Sequence, residues 1–308
     1  MFQIYSKNDF GERKITLHYK NETGVGDGVT KDAYSTFFTE IAKMHSSGLY
    51  ETIPTSLSED EAFLFGRIMS HSYQTYSVFP VSLAKAFFEM LMFDQIRDEV
   101  LVSSFTNFLM KNERELLLKS LRGNDLTDDE SHELWNALNE SNIRAKPKAE
   151  NIRQLVLKAA KCEFVQKPFF LLKSIQQSLK NVWNFESPDD MDTFYATSSP
   201  TIENTLEYFQ FDPKHPAEEK IQYYFERYVR SCTIQNLSLL VQFCTGSNTI
   251  GNGSIRVVFV NQEKTLKFRS KSCFKIFYIP KQIENIKQFN VLMEDIVKGN
   301  SEVWELHD

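Results

Sequence analysis

The sequence predicts an α+β fold, with a larger, mainly helical lobe over residues 1–198 and a smaller mixed α/β lobe over 199–308. Three observations predict it. Apolar side chains recur at spacings of three and four through most of the first 244 residues, which is the helical period. From 255 to 279 the period drops to two, as half-buried strands require. A composition break at 186–200, rich in Ser, Thr, Pro and Asp, separates the lobes, and 197–200 reads as the linker.

The elements follow in chain order. Lys14-Ile-Thr-Leu-His-Tyr19 alternates like a strand, and Gly24-Val-Gly-Asp-Gly28 must turn. Residues 31–44 carry Tyr34, Phe37, Phe38 and Ile41 on one helical face. Residues 59–93 are helical with a break near Pro80, and two helices are expected between 100 and 140. The second of these opens on Thr127-Asp-Asp-Glu130, whose hydroxyl and carboxylate can satisfy free backbone amides reciprocally. Helices are expected over 150–165 and over 168–185, where Pro168 suits a first helical position because its missing N–H has no partner to lose. Helices at 201–209, 216–230 and 234–244 precede strands at 255–260, 265–268 and 273–279, and a final helix covers 283–298.

Composition excludes several function classes. The chain has 308 residues, of which 42% are apolar and 25% charged, so it can bury a core. Lys and Arg number 35 against 41 Asp and Glu, a net charge of −6, so no global positive field exists to hold nucleic acid or an anionic bilayer. No apolar run approaches the roughly 20 residues that span a membrane. With no secretory leader pattern at its start, the chain is expected in the cytoplasm, the nucleus or both. The Gly24–Gly28 segment lacks the Gly-Lys-Ser/Thr ending of a phosphate loop and the spacing of a dinucleotide site, so it is read as a turn and no cofactor is expected. The six histidines are scattered, and none stands at metal-ligand spacing from another.

The four cysteines, Cys162, Cys232, Cys244 and Cys273, form no Cys-x-x-Cys pair, and neither a zinc cluster nor a disulfide framework is expected. Cys162 and Cys244 lie in apolar runs and read as core. Cys273 stands where a basic stretch, Lys267-Phe-Arg-Ser-Lys-Ser272, meets the strand that ends at Pro280. Three cations within six residues can favour a thiolate, the reactive form. A papain-type arrangement is disfavoured, because only His307 follows this cysteine.

Four segments then carry a family resemblance. Leu239-Leu-Val-Gln-Phe-Cys-Thr-Gly-Ser247 together with Ser272-Cys-Phe-Lys-Ile-Phe-Tyr-Ile-Pro280 resembles the small C-terminal lobe of HECT ubiquitin ligases. Glu22-Thr-Gly-Val-Gly-Asp-Gly-Val-Thr-Lys-Asp32 and Phe65-Gly-Arg-Ile68 resemble stretches of the family's N-terminal lobe, in the family's order. The chain as a whole is thus similar to one divergent, shortened HECT domain of bilobal fold, whose docking region for the conjugating enzyme is reduced or absent.

The resemblance implies a two-step acyl transfer. Cys273 would take ubiquitin from a conjugating enzyme's thioester and pass it to a lysine of a protein substrate. Supporting roles fall to Ser272, which keeps a hydroxyl beside the sulfur, to Phe274, expected to pack beneath the strand, and to Lys271, where the family usually has His. Thr197, Ser198, Ser199 and Pro200 fall at the family's hinge. In the tail, Trp304 is assigned an apolar anchor and Glu305 or Asp308 the lysine's proton. The alternative is a HECT-like scaffold that binds ubiquitin or another partner without the transfer step.

Overall fold

The computed structural model describes residues 1–7, 10, 13–17, 26–43, 53–179, 183–262 and 266–302. It is a mixed α+β structure, helical for most of its length with one small four-stranded sheet. Two compact units divide the chain. The first holds Met1–Gly11, Phe37–Gln74 and Pro80–Met191; the second holds Glu12–Thr36, Thr75–Phe79 and Asp192–Asp308. The described residues within 12–36, and 75–79, belong to the second unit, although they precede the 198/199 division read from composition.

Fourteen helices occur among the described residues: α1 Phe2–Lys7, α2 Asp27–Lys43, α3 Glu59–Tyr76, α4 Lys85–Phe93, α5 Asp98–Phe108, α6 Lys111–Leu121, α7 Asp128–Glu140, α8 Ile152–Lys161, α9 Phe169–Ser178, α10 Pro188–Ser198, α11 Ile202–Tyr208, α12 Pro216–Ser231, α13 Ile234–Thr245 and α14 Ile286–Glu302. None is long and apolar enough to cross a membrane.

In the first unit, α4 to α8 close around Leu101, Phe105, Leu117, Leu134, Leu138 and Val156, all at most 1% exposed. Three helices occupy 98–140 where two were expected, because the chain breaks at Leu109 without Gly or Pro. The Glu113 carboxylate accepts the Met110 N–H at 3.0 Å, and the Arg114 guanidinium donates to the carbonyls of Thr106, at 3.1 Å, and Leu109, at 2.8 Å. Both new helix ends are thus satisfied by side chains. The capping box at Thr127 forms as expected: Thr127 N–H donates to Glu130 at 2.8 Å and Glu130 N–H to the Thr127 hydroxyl at 3.3 Å. The buried Glu89 is held by Arg97, whose backbone N–H also donates to it at 3.0 Å.

In the second unit, β1 (Phe209–Gln210), β2 (Ile255–Val260), β3 (Arg269–Lys271) and β4 (Ile276–Pro280) form a sheet of order β1-β2-β4-β3. β1, β2 and β4 run parallel, and β3 is antiparallel to β4 with Lys271 opposite Ile276. The parallel pairs need long crossovers, which α12 and α13 supply between β1 and β2. β4 is central and buried on both faces, in keeping with its Ile-Phe-Tyr-Ile composition. Phe277 is fully buried, with the rings of Phe209, Phe225, Phe243 and Phe268 at 5.3 to 6.4 Å.

Two expected strands are not found among the described residues. Of the first, expected over 14–19, residues 14–17 pair with no strand, Ile15 N–H donating to the Tyr76 hydroxyl and Leu17 N–H to the Thr30 hydroxyl, and 18–19 lie outside the described residues. In place of a strand at 265–268, β3 begins at Arg269, just after buried Phe268. The residues expected as a linker are ordered by local bonds. Thr197 and Ser198 end α10, Ser199 N–H donates to the Tyr195 carbonyl, and Asn204 donates to the Ser199 carbonyl. Pro200 lies between α10 and α11.

Candidate functional site

Cys273 stands on the loop that joins β3 to β4. The two strands pair up to Lys271 and Ile276, so only Ser272–Phe274, a single 3-10 turn, and Lys275 connect them. Lys275 adopts the left-handed conformation, φ 49° and ψ 53°, which costs a non-glycine residue about 1–2 kcal/mol. Local bonds hold it there: its N–H donates to the Ser272 carbonyl, its carbonyl accepts from Arg256 N–H at 2.9 Å, and its ammonium donates to the Asn252 carbonyl.

This turn overrides the continuous strand expected from 273 and leaves Cys273 exposed. It also turns Phe274 outward, 74% exposed, so the expected packing of Phe274 beneath the strand is not found. Lys271 is exposed and its ammonium lies 5.8 Å from the Tyr278 ring centroid.

The start of α2 seats the turn. Gly28 N–H donates to Cys273 Sγ at 3.4 Å, and this is the hydrogen bond made by that sulfur among the described residues. A helix N-terminus presents unpaired N–H groups and the positive end of the helix dipole, so partial positive charge faces the sulfur. Close approach depends on three glycines. A Cβ on Gly26 would stand 3.1 Å from Cys273 Sγ. One on Gly28 would stand 2.2 Å from Ser272 Oγ and 3.2 Å from Cys273 Sγ. One on Gly246, the left-handed C-cap of α13, would stand 2.2 Å from the Gly28 carbonyl oxygen.

Side chains lock α13 to α2 around this contact. Ser35 donates to the Gly246 carbonyl at 3.2 Å, and Gln242 donates to Asp32 at 2.8 Å and to Thr36 at 3.2 Å. The loop beyond Gly246 is tied to the end of α10 by Ile250 N–H, which donates to the Ser198 carbonyl at 2.9 Å.

The nearby charges differ from those expected. Lys31, in the first turns of α2, is half-buried, and burial, with the neighbouring Lys275, pushes its amine below the ordinary value while Asp27 and the Cys273 sulfur pull it upward. Burial also lowers Lys275. Asp27 is shared with Lys14, whose ammonium it meets at 2.8 Å.

The other thiols are placed as expected or offer less. Cys162 and Cys244 are buried, and burial pushes the Cys244 thiol far up. Cys232 is partly buried and raised for the same cause. An open cleft of about 620 Å³ exists in the same unit, bounded by Lys214, Glu218, Arg256 and Lys281, but Cys273 does not line it. Among the described residues no group of three His, Cys, Asp or Glu forms a metal site, and no histidine bonds Cys273. Trp304, Glu305 and Asp308 lie outside the described residues.

Sequence reasoning named Cys273 and Ser272 but missed Gly26, Gly28 and Lys31 as neighbours of the sulfur, and Gly246 as the residue packed on Gly28. The available signal was the recurrence of glycine in both resembling segments, Gly24–Gly28 and Thr245–Ser247. The geometry offers an exposed thiol held by a backbone donor, with cations near it and, among the described residues, no general base bonded to it. No family model matches the chain, and no curated protein matches it.

Proposed function

We propose that the chain is a HECT-type ubiquitin-protein transferase of bilobal organisation, which carries ubiquitin as a thioester on Cys273. One observation carries this reading. The separate stretches that resemble the family pack on one another here: Gly28 of 26–32 donates to the exposed Cys273 sulfur of 272–274, and Gly246 of 245–247 packs on Gly28.

The chemistry suits what surrounds that sulfur. A cysteine hydrolase needs a base to activate water, and no histidine bonds Cys273 among the described residues. Thioester exchange needs no water activation. The sulfur attacks the donor's acyl carbon, the C–S bond to the donor cysteine breaks, and the donor leaves as a thiolate. What is required is a placed, accessible nucleophile.

The test is incubation with activating enzyme, a panel of conjugating enzymes, ATP and ubiquitin, read on non-reducing gels. Wild type should form an adduct that thiols reverse, Cys273→Ala should form none, and Cys273→Ser should form an oxyester that thiols leave intact. A wild type that charges with no conjugating enzyme, or a Cys273→Ala variant that still charges, sinks the proposal.

A second reading, a scaffold without the transfer step, is favoured by the helices over 98–140, which bury Leu117, Leu134 and Leu138 in the core of their own unit. It predicts ubiquitin binding that Cys273→Ala leaves intact, with no adduct from any conjugating enzyme.

A further inference from the structure

We infer that Gly28 is part of the transfer machinery, its backbone N–H holding the Cys273 sulfur in both half-reactions and its missing side chain reserving the space that Ser272 fills. This inference rests on the transferase reading and extends it to a residue that bears no functional group.

The N–H of Gly28 reaches Cys273 Sγ at 3.4 Å from the first turn of α2. Its backbone is in an ordinary helical conformation, so glycine is not required there by φ. In an isolated helix alanine would be the better residue at this point. What excludes alanine is the neighbour: its Cβ would stand 2.2 Å from Ser272 Oγ, 3.0 Å from Ser272 Cβ and 3.2 Å from Cys273 Sγ. A glycine that lowers helix propensity, with the nucleophile's own turn filling its side-chain volume, is placed for close approach.

The donor acts where sulfur carries charge. In the first half-reaction the attacking thiolate forms the new C–S bond and the donor thiolate departs. In the second, a neutral lysine amine attacks the acyl carbon, the C–S bond to Cys273 breaks, the electron pair returns to Sγ and the amine's proton passes to water. The N–H of Gly28 meets the sulfur as it enters the first step and as it leaves the second. Gly246 is a positioning residue, since its bare Cα lets the Gly28 carbonyl lie against the C-cap of α13.

The experiment compares full-length wild type, Gly28→Ala, Gly28→Ala with Ser272→Ala, and Gly251→Ala, a glycine whose Cβ would meet only the Tyr208 hydroxyl at 3.8 Å. The rate of Cys273 alkylation by iodoacetamide is followed by mass spectrometry. Gly28→Ala should slow it about tenfold, the weight of one hydrogen bond to a charged group. Removing the Ser272 hydroxyl should recover most of the loss, and Gly251→Ala should match wild type. A folded Gly28→Ala that alkylates at the wild-type rate overturns the inference, as does a loss that Ser272→Ala does not relieve.

A second measurement covers the case in which Gly28→Ala does not fold. In Cys273→Ala, which removes the acceptor, the Gly28 amide should exchange with deuterium several-fold faster than in wild type, and unchanged exchange overturns the inference. Neither arm uses ubiquitin. Failure of wild type to charge therefore strikes the transferase reading, while failure of these contrasts strikes the role of Gly28.

Discussion

Gly246→Ala separates the cost of a left-handed backbone from the cost of losing a close approach. Gly246 has φ 75° and ψ −2°, and an added Cβ would stand 2.2 Å from the Gly28 carbonyl oxygen and 3.0 Å from its carbon. The left-handed conformation alone costs alanine about 1–2 kcal/mol. The obstructing atom is backbone, so no rotamer change relieves it. The start of α2 must draw back by at least 0.8 Å to bring 2.2 Å out to 3.0 Å. Withdrawal breaks the Ser35 bond to the Gly246 carbonyl and the Gly28 bond to Cys273 Sγ. At about 0.5–1.5 kcal/mol for each hydrogen bond, the total loss is about 2–5 kcal/mol. Gly253 supplies the control within the same unit: its φ is 79°, and its Cβ would meet only the Lys275 ammonium at 3.9 Å. Gly253→Ala should therefore lose only the backbone cost of about 1–2 kcal/mol. Urea unfolding, with hydrogen exchange read on peptides from 255–280, follows the transition of this unit alone. Losses equal within about 0.5 kcal/mol, inside the usual scatter of such comparisons, would refute the close approach of α13 to α2.

Two further outcomes are expected. Brief alkylation of the native protein should modify Cys273 first and Cys232 later, with Cys162 and Cys244 protected until unfolding, because only Cys273 is exposed and burial raises both Cys232 and Cys244; mass spectrometry that finds Cys232 modified first contradicts this placement of the turn. Glu218, 4% exposed in its side chain, accepts from Lys214 N–H at 2.6 Å and meets the Lys281 ammonium at 2.8 Å, and those two partners hold its carboxyl below the ordinary value of 4.5. A depressed carboxylate stabilises the fold above its unfolded value and loses that contribution as pH falls through the folded one. Glu218→Gln should therefore melt below wild type at pH 7, with the gap closing below pH 4.5; a gap constant from pH 7 to pH 3 would show that Glu218 does not titrate as described.

What was legible in the sequence followed from local rules. The reciprocal cap at Thr127 depends on two residues three apart, and β2 appeared at its read limits because all of Ile255 to Val260 except Arg256 is β-branched or aromatic. The break between α5 and α6 was hidden because it is made by Glu113 and Arg114 reaching back to neighbouring backbone, not by Gly or Pro. The strand expected through Cys273 was a period-two reading of Cys-Phe-Lys-Ile-Phe-Tyr-Ile, and periodicity cannot report that Lys275 takes a positive φ. That one dihedral moves Cys273 from a strand into a turn and Phe274 from core to solvent.

The composition of the site was legible only in part, for a related reason. A nucleophile announces itself by residue type, and a cationic stretch in the sequence around it is visible. The groups that face the Cys273 sulfur come instead from 245 residues away, and one of them is a peptide N–H that every non-proline residue possesses. Gly28 looked like a turn former because glycine is common in turns. Its place inside the first turn of α2 gives the residue a different meaning. A glycine where the backbone conformation does not call for one marks space that another part of the chain occupies, and here the occupant is the turn bearing Cys273.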